Sequence, residues 1–540
     1  MSIKIRSTLQ DSNLATPSIS ELRALFNGRV IAPGDARYEE ARSVFVGGID
    51  CRPAAIVRVA DAGDVSRLVS LARETHMELA VRSGGHSSAG HSTSDGGIVL
   101  DLSGMKALQV DARGRTAWAE TGLTAGEYTT EVGTHGLATG FGDTGSVGIG
   151  GITLGGGIGY LVRKHGLTID NLLAAEVVTA DGQLLRVDAG SHPDLFWAIR
   201  GGGGNFGVAT RFQFRLHEVD SILGGMLILP ATPDIIASFI AEAEAAPEEL
   251  STIANVMTAP PMPFLPEEVH GKLIVMALMV YAGKTGEGER VIAPFRALAA
   301  PLADMLRPMK YPEIYPPEEG GYHPVAANRT MFVDSIDRAV AEMILDHLRA
   351  STGSMAVAQL RVLGGAMARI PADATAFAHR ESRILVNVAT LYEKPEEKAT
   401  HEAWVTDFAT ALRQDDGGAY VNFLGDEGEA RIRAAYPGST WDRLRRVKAK
   451  YDPNNLFCLN QNIPPMKGNK GSNMNKEQSD FPKLASPARR ALANAGIKNL
   501  NQLAKFSEAE IKELHGIGPN ALVQLRAALK AKGLSFAKKR

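Results

Sequence analysis

Apolar residues run almost unbroken from Arg52 to Val59, and over Asp61 to Met77 they recur at Val65, Leu68, Val69 and Ala72. The first pattern predicts a buried strand and the second, at i, i+3, i+4 and i+7, one face of a helix. With Leu79-Ala80-Val81 behind them, the order is strand, helix, strand. Helical patterns also lie at Glu21 to Phe26, Tyr38 to Val46 and Thr124 to Thr134, and strand patterns at Ile98 to Leu102 and Ala117 to Thr121. Ala174 to Val187 reads as a hairpin turning at Asp181-Gly182. Asp194 is placed to cap a helix through Ile199, and a strand is expected over Val208 to Leu216. From 220 to 415, strands such as Ile222 to Leu229, Lys272 to Tyr281 and Ile384 to Ala389 alternate with amphipathic helices. The Pro-rich stretches 259–266 and 308–317 read as loops. A short strand is predicted at Gly418 to Leu424, then helices at Glu427 to Tyr436 and Trp441 to Tyr451.

Glycine breaks these patterns in three places. The chain holds 56 glycines in 540 residues, above the average usage of about 7%, and they are clustered. Between Thr139 and Gly159 the density rules out a stable helix or ordinary strand on propensity alone, at about 1 kcal/mol per glycine against alanine. The interleaved Val147, Ile149, Ile152 and Leu154 predict an ordered, ligand-facing loop instead of a linker. The cluster Gly201 to Gly204 with Gly207 neither follows a strand nor opens a helix, so it is not a dinucleotide fingerprint. The densest chemistry is in Val81 to Gly90, where Arg82, Ser83, Gly84, Gly85, His86 and Ser87 follow a strand end, a common ligand position in α/β folds. Successive amides in such a turn form a nest for phosphate. His86 there suits a base, a metal ligand, a covalent anchor or a packed turn residue.

Composition narrows the setting. A hydrophobic fraction of 44% with 22% charged residues suits a soluble globular protein, and at about 150 residues per domain the length suggests three or four units. Cys51 and Cys458 are the only cysteines, which excludes a disulfide framework and a multi-cysteine metal site. No apolar run reaches about 18 residues and no signal-peptide pattern is present. A cytoplasmic chain without a membrane span or metal is expected. The net charge of −2 hides an asymmetry: residues 481–540 carry 12 Lys and Arg against 3 Asp and Glu, a net of +9, which leaves −11 for residues 1–480. A Lys-, Asn-, Gly- and Ser-rich linker at 467–480 sets that tail apart. Its predicted helices are opened by Ser486-Pro487, by Ser507 with Glu510 as a capping box, and by Gly518-Pro519, and closed by Gly496 and Gly533.

Three ordered motifs carry a family resemblance. Arg82-Ser83-Gly84-Gly85-His86 resembles the flavin-attachment turn of the berberine bridge enzyme-like branch of the vanillyl-alcohol oxidase superfamily. Ser146 to Gly151 with Gly155 to Tyr160 resembles its second cofactor loop, and Tyr451 to Phe457 with Asn460 to Pro464 its C-terminal signature. The resemblance covers about residues 25–466. It implies an α+β fold: a two-subdomain FAD-binding domain of the p-cresol methylhydroxylase type (PCMH-type) from 25–219, completed by 416–466, and an antiparallel-sheet substrate domain at 220–415. It implies that FAD is held by Arg82, Ser83, Gly84, Gly85, His86 and Ser87, by Thr144, Gly145, Ser146, Gly148, Gly150, Gly151, Gly155, Gly156, Gly157 and Gly159, and by Asn460 and Asn462. His86 matches the histidine joined to the flavin, whereas Thr144 stands where many members carry a second, cysteine tether, so one covalent bond is expected. Val147 matches a small oxygen-gating residue of oxidases.

The implied activity is oxidation of a hydroxylated small molecule, a sugar or secondary metabolite, with hydride passing to flavin N5 and oxygen reduced to hydrogen peroxide. A dehydrogenase that does not use oxygen, or a nucleic-acid-associated flavin-binding sensor protein, is the alternative. Tyr420 matches the tyrosine of a Tyr-x-Asn-aromatic stretch that can serve as base; a strand tyrosine packed in the core is the other reading. Ala372 stands where some members have a catalytic Glu, with Asp373 one residue away, which argues against alkaloid-cyclising chemistry. His379 and Arg380 are candidates for the substrate cleft or, equally, for a structural role. In the tail, Leu514 to Leu522 resembles a helix-hairpin-helix motif, which implies a small all-α domain at 481–540. Gly516 and Gly518 would hold a nucleic-acid phosphate, with Lys512, Arg526, Lys530 and Lys532 supplying positive charge. A protein-contact module is the other reading.

Overall fold

The structure is a computed structural model that describes residues 17–316, 321–414, 417–466 and, with short interruptions, 481–537. Two compact units result, Met1–Met466 and Lys467–Arg540.

In the first unit, Ala55–Arg58 and Leu79–Arg82 both run parallel to Ile98–Asp101, which lies between them, and Val30–Ile31 joins antiparallel at the edge. The helix between them, Ala62–Thr75, starts where the Asp61 carboxylate accepts from the Asp64 amide and buries Val65, Leu68, Val69 and Ala72. A second sheet orders Leu108–Asp111, Thr116–Glu120, Val208–Arg215, Leu172–Val178 and Leu184–Asp188, all antiparallel. Tyr128, Phe141 and Phe214 meet edge to face beneath it at 4.9–5.6 Å, a favoured aromatic geometry.

The C-terminal segment completes this second core: Tyr436, Trp441, Leu444, Val447 and Ile463 share one buried cluster with Ala117 and Phe212. Lys448 pins it there. Its ammonium, fully buried, donates to Asp452 at 2.6 Å, to Asn205 O at 2.7 Å and to Phe457 O at 2.9 Å, so a charge that burial would otherwise penalise has three acceptors.

The third sheet is antiparallel, in the order Ala303–Asp304, Ser221–Pro230, Leu273–Tyr281, Leu250–Thr258, Met355–Val362, Ile384–Leu391, Ala326–Val333. Helices Pro233–Ala245, Thr285–Ala297, Arg338–Ala350 and Lys398–Leu412 share a core with one face. Strand alternation sends Asn255, Gln359, Arg361 and Asn387 to the other.

Four local expectations change. The glycine-rich stretch does contain a helix, Ile149–Gly155; burial of Ile149 and Leu154 overrides propensity, as tertiary packing commonly does. Gly418 to Leu424 is irregular with one 3-10 turn, Val421–Phe423, because its groups bond locally, Phe423 N to Tyr420 O and Leu424 N to Val421 O. Asp194 is not a cap; Pro193 opens that helix, and the Asp194 carboxylate accepts from Lys450 and Tyr451. Within 308–317, Arg307–Lys310 is an edge strand paired with Ser221 to Gly224, where Pro308 is tolerated because an edge needs no further donor.

In the second unit the described residues include helices Leu500–Leu503, Glu508–Lys512 and Pro519–Ala531. Ser507 and Glu510 form the reciprocal cap, and Leu500, Leu503, Ile511, Leu525 and Leu529 share a core. Ser486, Pro487, Gly496 and Gly516 lie outside the described residues. Among the described residues no helix is long and apolar enough to cross a membrane, and no His, Cys, Asp and Glu group could hold a metal ion.

Candidate active site

Two glycine loops, about sixty residues apart in sequence, meet backbone to backbone. The strand Leu79–Arg82 delivers Ser83 to Gly85 against the start of the helix Ile149–Gly155. A Cβ on Gly84 would overlap Gly148 N, and one on Gly148 would overlap Ser83 Oγ and Gly84 N. Ser83 locks the junction, its hydroxyl donating to Thr121 O at 2.6 Å and accepting from Gly150 N at 3.2 Å.

Beside this junction lies a cavity of about 360 Å³. Ser83, Gly84, Gly85, His86 and Ser87 form one wall, and Thr144, Gly148, Gly150 and Gly151 the next. Gly203, Gly204, Tyr420 to Leu424, Asn460 and Gln461 close it, with Leu79, Val81, Leu102, Val208 and Phe457 as an apolar lining. A Cβ on Gly151 or Gly204 would meet nothing within 4 Å, so both backbones stand open to the cavity. Asn460 Oδ1 is buried without a hydrogen-bond partner, and such atoms ordinarily have one. Open amides, an apolar lining and an unsatisfied amide oxygen fit a large cofactor with a flat ring system and a diphosphate. FAD suits these residues.

His86 stands where the cavity meets a second, shallower groove lined by Phe45, Arg82, Thr144, Ser146 and His323. Its ring stacks on Phe45 at 4.0 Å, and Nε2 lies 3.0 Å from Ser146 Oγ. Tyr420 is 1% exposed, and its phenolic oxygen accepts from Gly157 N at 2.9 Å, Asn422 Nδ2 at 2.9 Å and Ile158 N at 3.3 Å. A neutral phenol keeps a proton beside its lone pairs, so three converging donors fit a phenolate oxygen better than a phenol. Burial acts the other way and is the larger effect, holding the phenol above its ordinary value against the pull of those donors and of Arg361.

Several expected residues are elsewhere. Arg82 does not line the cavity; its buried guanidinium donates to Ala41 O at 2.5 Å and Ser92 O at 3.2 Å. Gly155, Gly156, Gly157 and Gly159 stand behind the wall, where a Cβ would meet Asn422, Tyr420, Thr168 and the Phe141 carbonyl. Gly145 accepts from the Gly126 amide, and Ser146 faces the second groove. Asn462 is off the cavity wall, its Oδ1 buried and unpartnered. Arg380 is structural, forming two 2.8 Å bonds with the Asp170 carboxylate, and His379 meets Ala434 O at 3.0 Å.

Other residues on the wall were not among the expected cofactor contacts. Asp143, Ile152, Asn205, Phe457 and His91 line the cavity; burial pushes the His91 imidazole below its ordinary value. Asn422 had one available cue, its place two residues after Tyr420.

A cofactor cavity built between two sheets and a C-terminal return segment, with an antiparallel sheet in the same unit, fits a flavin-dependent oxidoreductase. Sequence comparison agrees: the FAD binding domain family matches residues 53–188 and the berberine and berberine-like family residues 419–464. The FAD-linked oxidoreductase YgaK of Bacillus subtilis is 31% identical over 452 residues, covering 82% of this chain and 97% of that protein. (R)-6-hydroxynicotine oxidase of Paenarthrobacter nicotinovorans is 28% identical over 84% of this chain and 99% of its own. The crystal structure of 6-hydroxy-D-nicotine oxidase from Arthrobacter nicotinovorans superposes with a TM-score of 0.73 at 26% identity, over 84% of this chain and 100% of that one. The chain belongs to the berberine bridge enzyme-like FAD-linked oxidoreductases. It is an FAD-dependent enzyme.

Proposed function

We propose that the enzyme is an oxidase of a hydroxylated small molecule, with FAD held by one covalent bond to His86. FAD, when bound, would supply the hydride acceptor at N5, with oxygen as the final electron acceptor and hydrogen peroxide as its product. Ser83, Gly84, Gly148, Gly150 and Gly151 would hold the cofactor, and Thr144, which cannot form a thioether, leaves His86 as the single tether. In its phenolate form, a minor fraction near neutrality because burial holds the phenol above its ordinary value, Tyr420 takes the substrate hydroxyl proton, which neutralises the charge that would otherwise build on that oxygen as the C–H bond breaks. The observation that carries this reading is the triply bonded Tyr420 oxygen at the cavity wall. Relatives named for oxidising a hydroxynicotine support a hydroxylated substrate, and the small Val147 on the wall favours oxygen over another acceptor.

A second reading concerns the tail. Its net charge of +9 and the exposed Lys512, Lys530 and Lys532 favour nucleic-acid phosphate, with Gly516 and Gly518 at the contact. Arg526 contributes less than the sequence implies, because it is ion-paired with Glu508.

One comparison tests both readings: the full chain against a version ending at Met466, assayed for peroxide release across sugars, hydroxylated aromatics and polyketides, and for DNA retardation at low and high salt. Both versions are expected to release peroxide from the same compound, and only the full chain to retard DNA at low salt. Flavin that no compound reduces would sink the oxidase reading, and absent retardation the tail reading.

A further inference from the structure

Tyr420 lies in a buried apolar cluster with Ile158, Leu167, Ile169, Phe377 and Leu385. Most charged groups on the surrounding segments are committed elsewhere. Arg163 donates to the Ala243, Ala246 and Leu250 carbonyls and Lys164 to the Ala282 carbonyl. Arg380 is neutralised by Asp170, Arg383 pairs with Glu244, Arg369 with Glu248, and His379 is bonded to the Ala434 carbonyl.

Arg361 differs. Its side chain is 4% exposed, and it stands on the sheet face opposite the helices. Nη1 donates to Ile158 O at 3.3 Å, Nη2 to Asp143 Oδ2 at 2.6 Å, and Nε and Nη2 to Gln359 Oε1 at 3.0 and 2.6 Å. The guanidinium also lies over the Phe423 ring at 5.0 Å, and that ring meets Tyr420 edge to face at 5.0 Å. Arg361 thus holds the carbonyl of residue 158, whose amide donates to the Tyr420 oxygen, and brings a buried positive charge near that oxygen. Asp143, its partner, lines the cofactor cavity.

We infer that Arg361, fixed by Gln359 and Asp143, is a positioning residue that sets the proton affinity of Tyr420. The charge favours the phenolate, and the bond to Ile158 O aims one of its three donors. The inference rests on the proposed role of Tyr420 as base, but its test does not need turnover. In protein labelled with 13Cζ-tyrosine, the Tyr420 resonance is identified by its absence in Tyr420→Phe, and its phenolate fraction is read at about pH 10, the ordinary tyrosine value. Arg361→Gln should lower the ratio of phenolate to phenol about tenfold, equivalent to about one pH unit, and Arg361→Lys should restore most of it. Equal ratios in wild type and Arg361→Gln overturn the inference. If Arg361→Gln does not fold, Gln359→Leu, which removes the guanidinium's acceptor but keeps its charge, should give a smaller fall, and no fall overturns it. Full oxidase activity in Tyr420→Phe would remove the base role and leave the titration result standing, so the two failures are distinguishable.

Discussion

Three N–H donors converge on the Tyr420 oxygen, two of them backbone amides more than 260 residues earlier in the chain. A family motif picks out Tyr420, but nothing local in the sequence announces Gly157 and Ile158 as its partners, because their convergence depends on the C-terminal segment returning to the first domain. The same separation hides His165 and His217, which stack ring on ring at 3.9 Å, with His217 Nε2 2.6 Å from Asn171 Oδ1. Burial, helped by neighbouring positive charge, lowers His165 to about 3 and His217 to about 4. Both therefore stay neutral in the folded protein while the unfolded chain takes up protons below about pH 6.5. The unfolded state then binds more protons, so stability is present above that pH and is lost as pH falls toward 4. Melting temperatures at pH 7 and pH 4.5 should show this loss, and His217→Gln should make the two values converge. A loss of the same size in His217→Gln would show that other groups are responsible.

At the scale of elements, periodicity was a good guide wherever one face is buried. Helix Ala62–Thr75 and strands Leu79–Arg82 and Ile98–Asp101 were legible for that reason. It failed at helix Ile149–Gly155, where glycine is required by what lies outside the helix. Gly148 and Gly84 touch each other, so neither position admits a side chain, and propensity cannot register a contact between distant loops. The apolar alternation of Ala419 and Val421 likewise suggested a strand, but both residues enter the core of the five-stranded sheet from an irregular segment. Gly148→Ala should therefore overpack the junction, at a cost of about 1–3 kcal/mol, with loss of bound flavin. Gly286→Ala, near the start of helix Thr285–Ala297 with nothing within 4 Å of the added Cβ, should leave stability unchanged or slightly higher. Thermal melting with flavin absorbance read in parallel checks both, and equal melting temperatures for the two variants would contradict the loop-contact account.

Over the whole molecule, the sequence already indicated the class of enzyme, because its three motifs occur in family order; in the structure, parts of all three line one cavity. The substrate was not legible, and the polar side chains on the helix-free face of the third sheet, such as Asn255, Gln359 and Asn387, become neighbours only through strand pairing. The central claim is that this cavity holds FAD on His86. Acid precipitation of the purified protein, followed by mass analysis of the tryptic peptide 83–106 with fragmentation to locate any adduct, tests it most directly. The account predicts a yellow precipitate and a flavin mass on His86, with His86→Ala folded and releasing its flavin to the supernatant. A colourless precipitate with no flavin in the supernatant, or a flavin that stays covalent in His86→Ala, would contradict it.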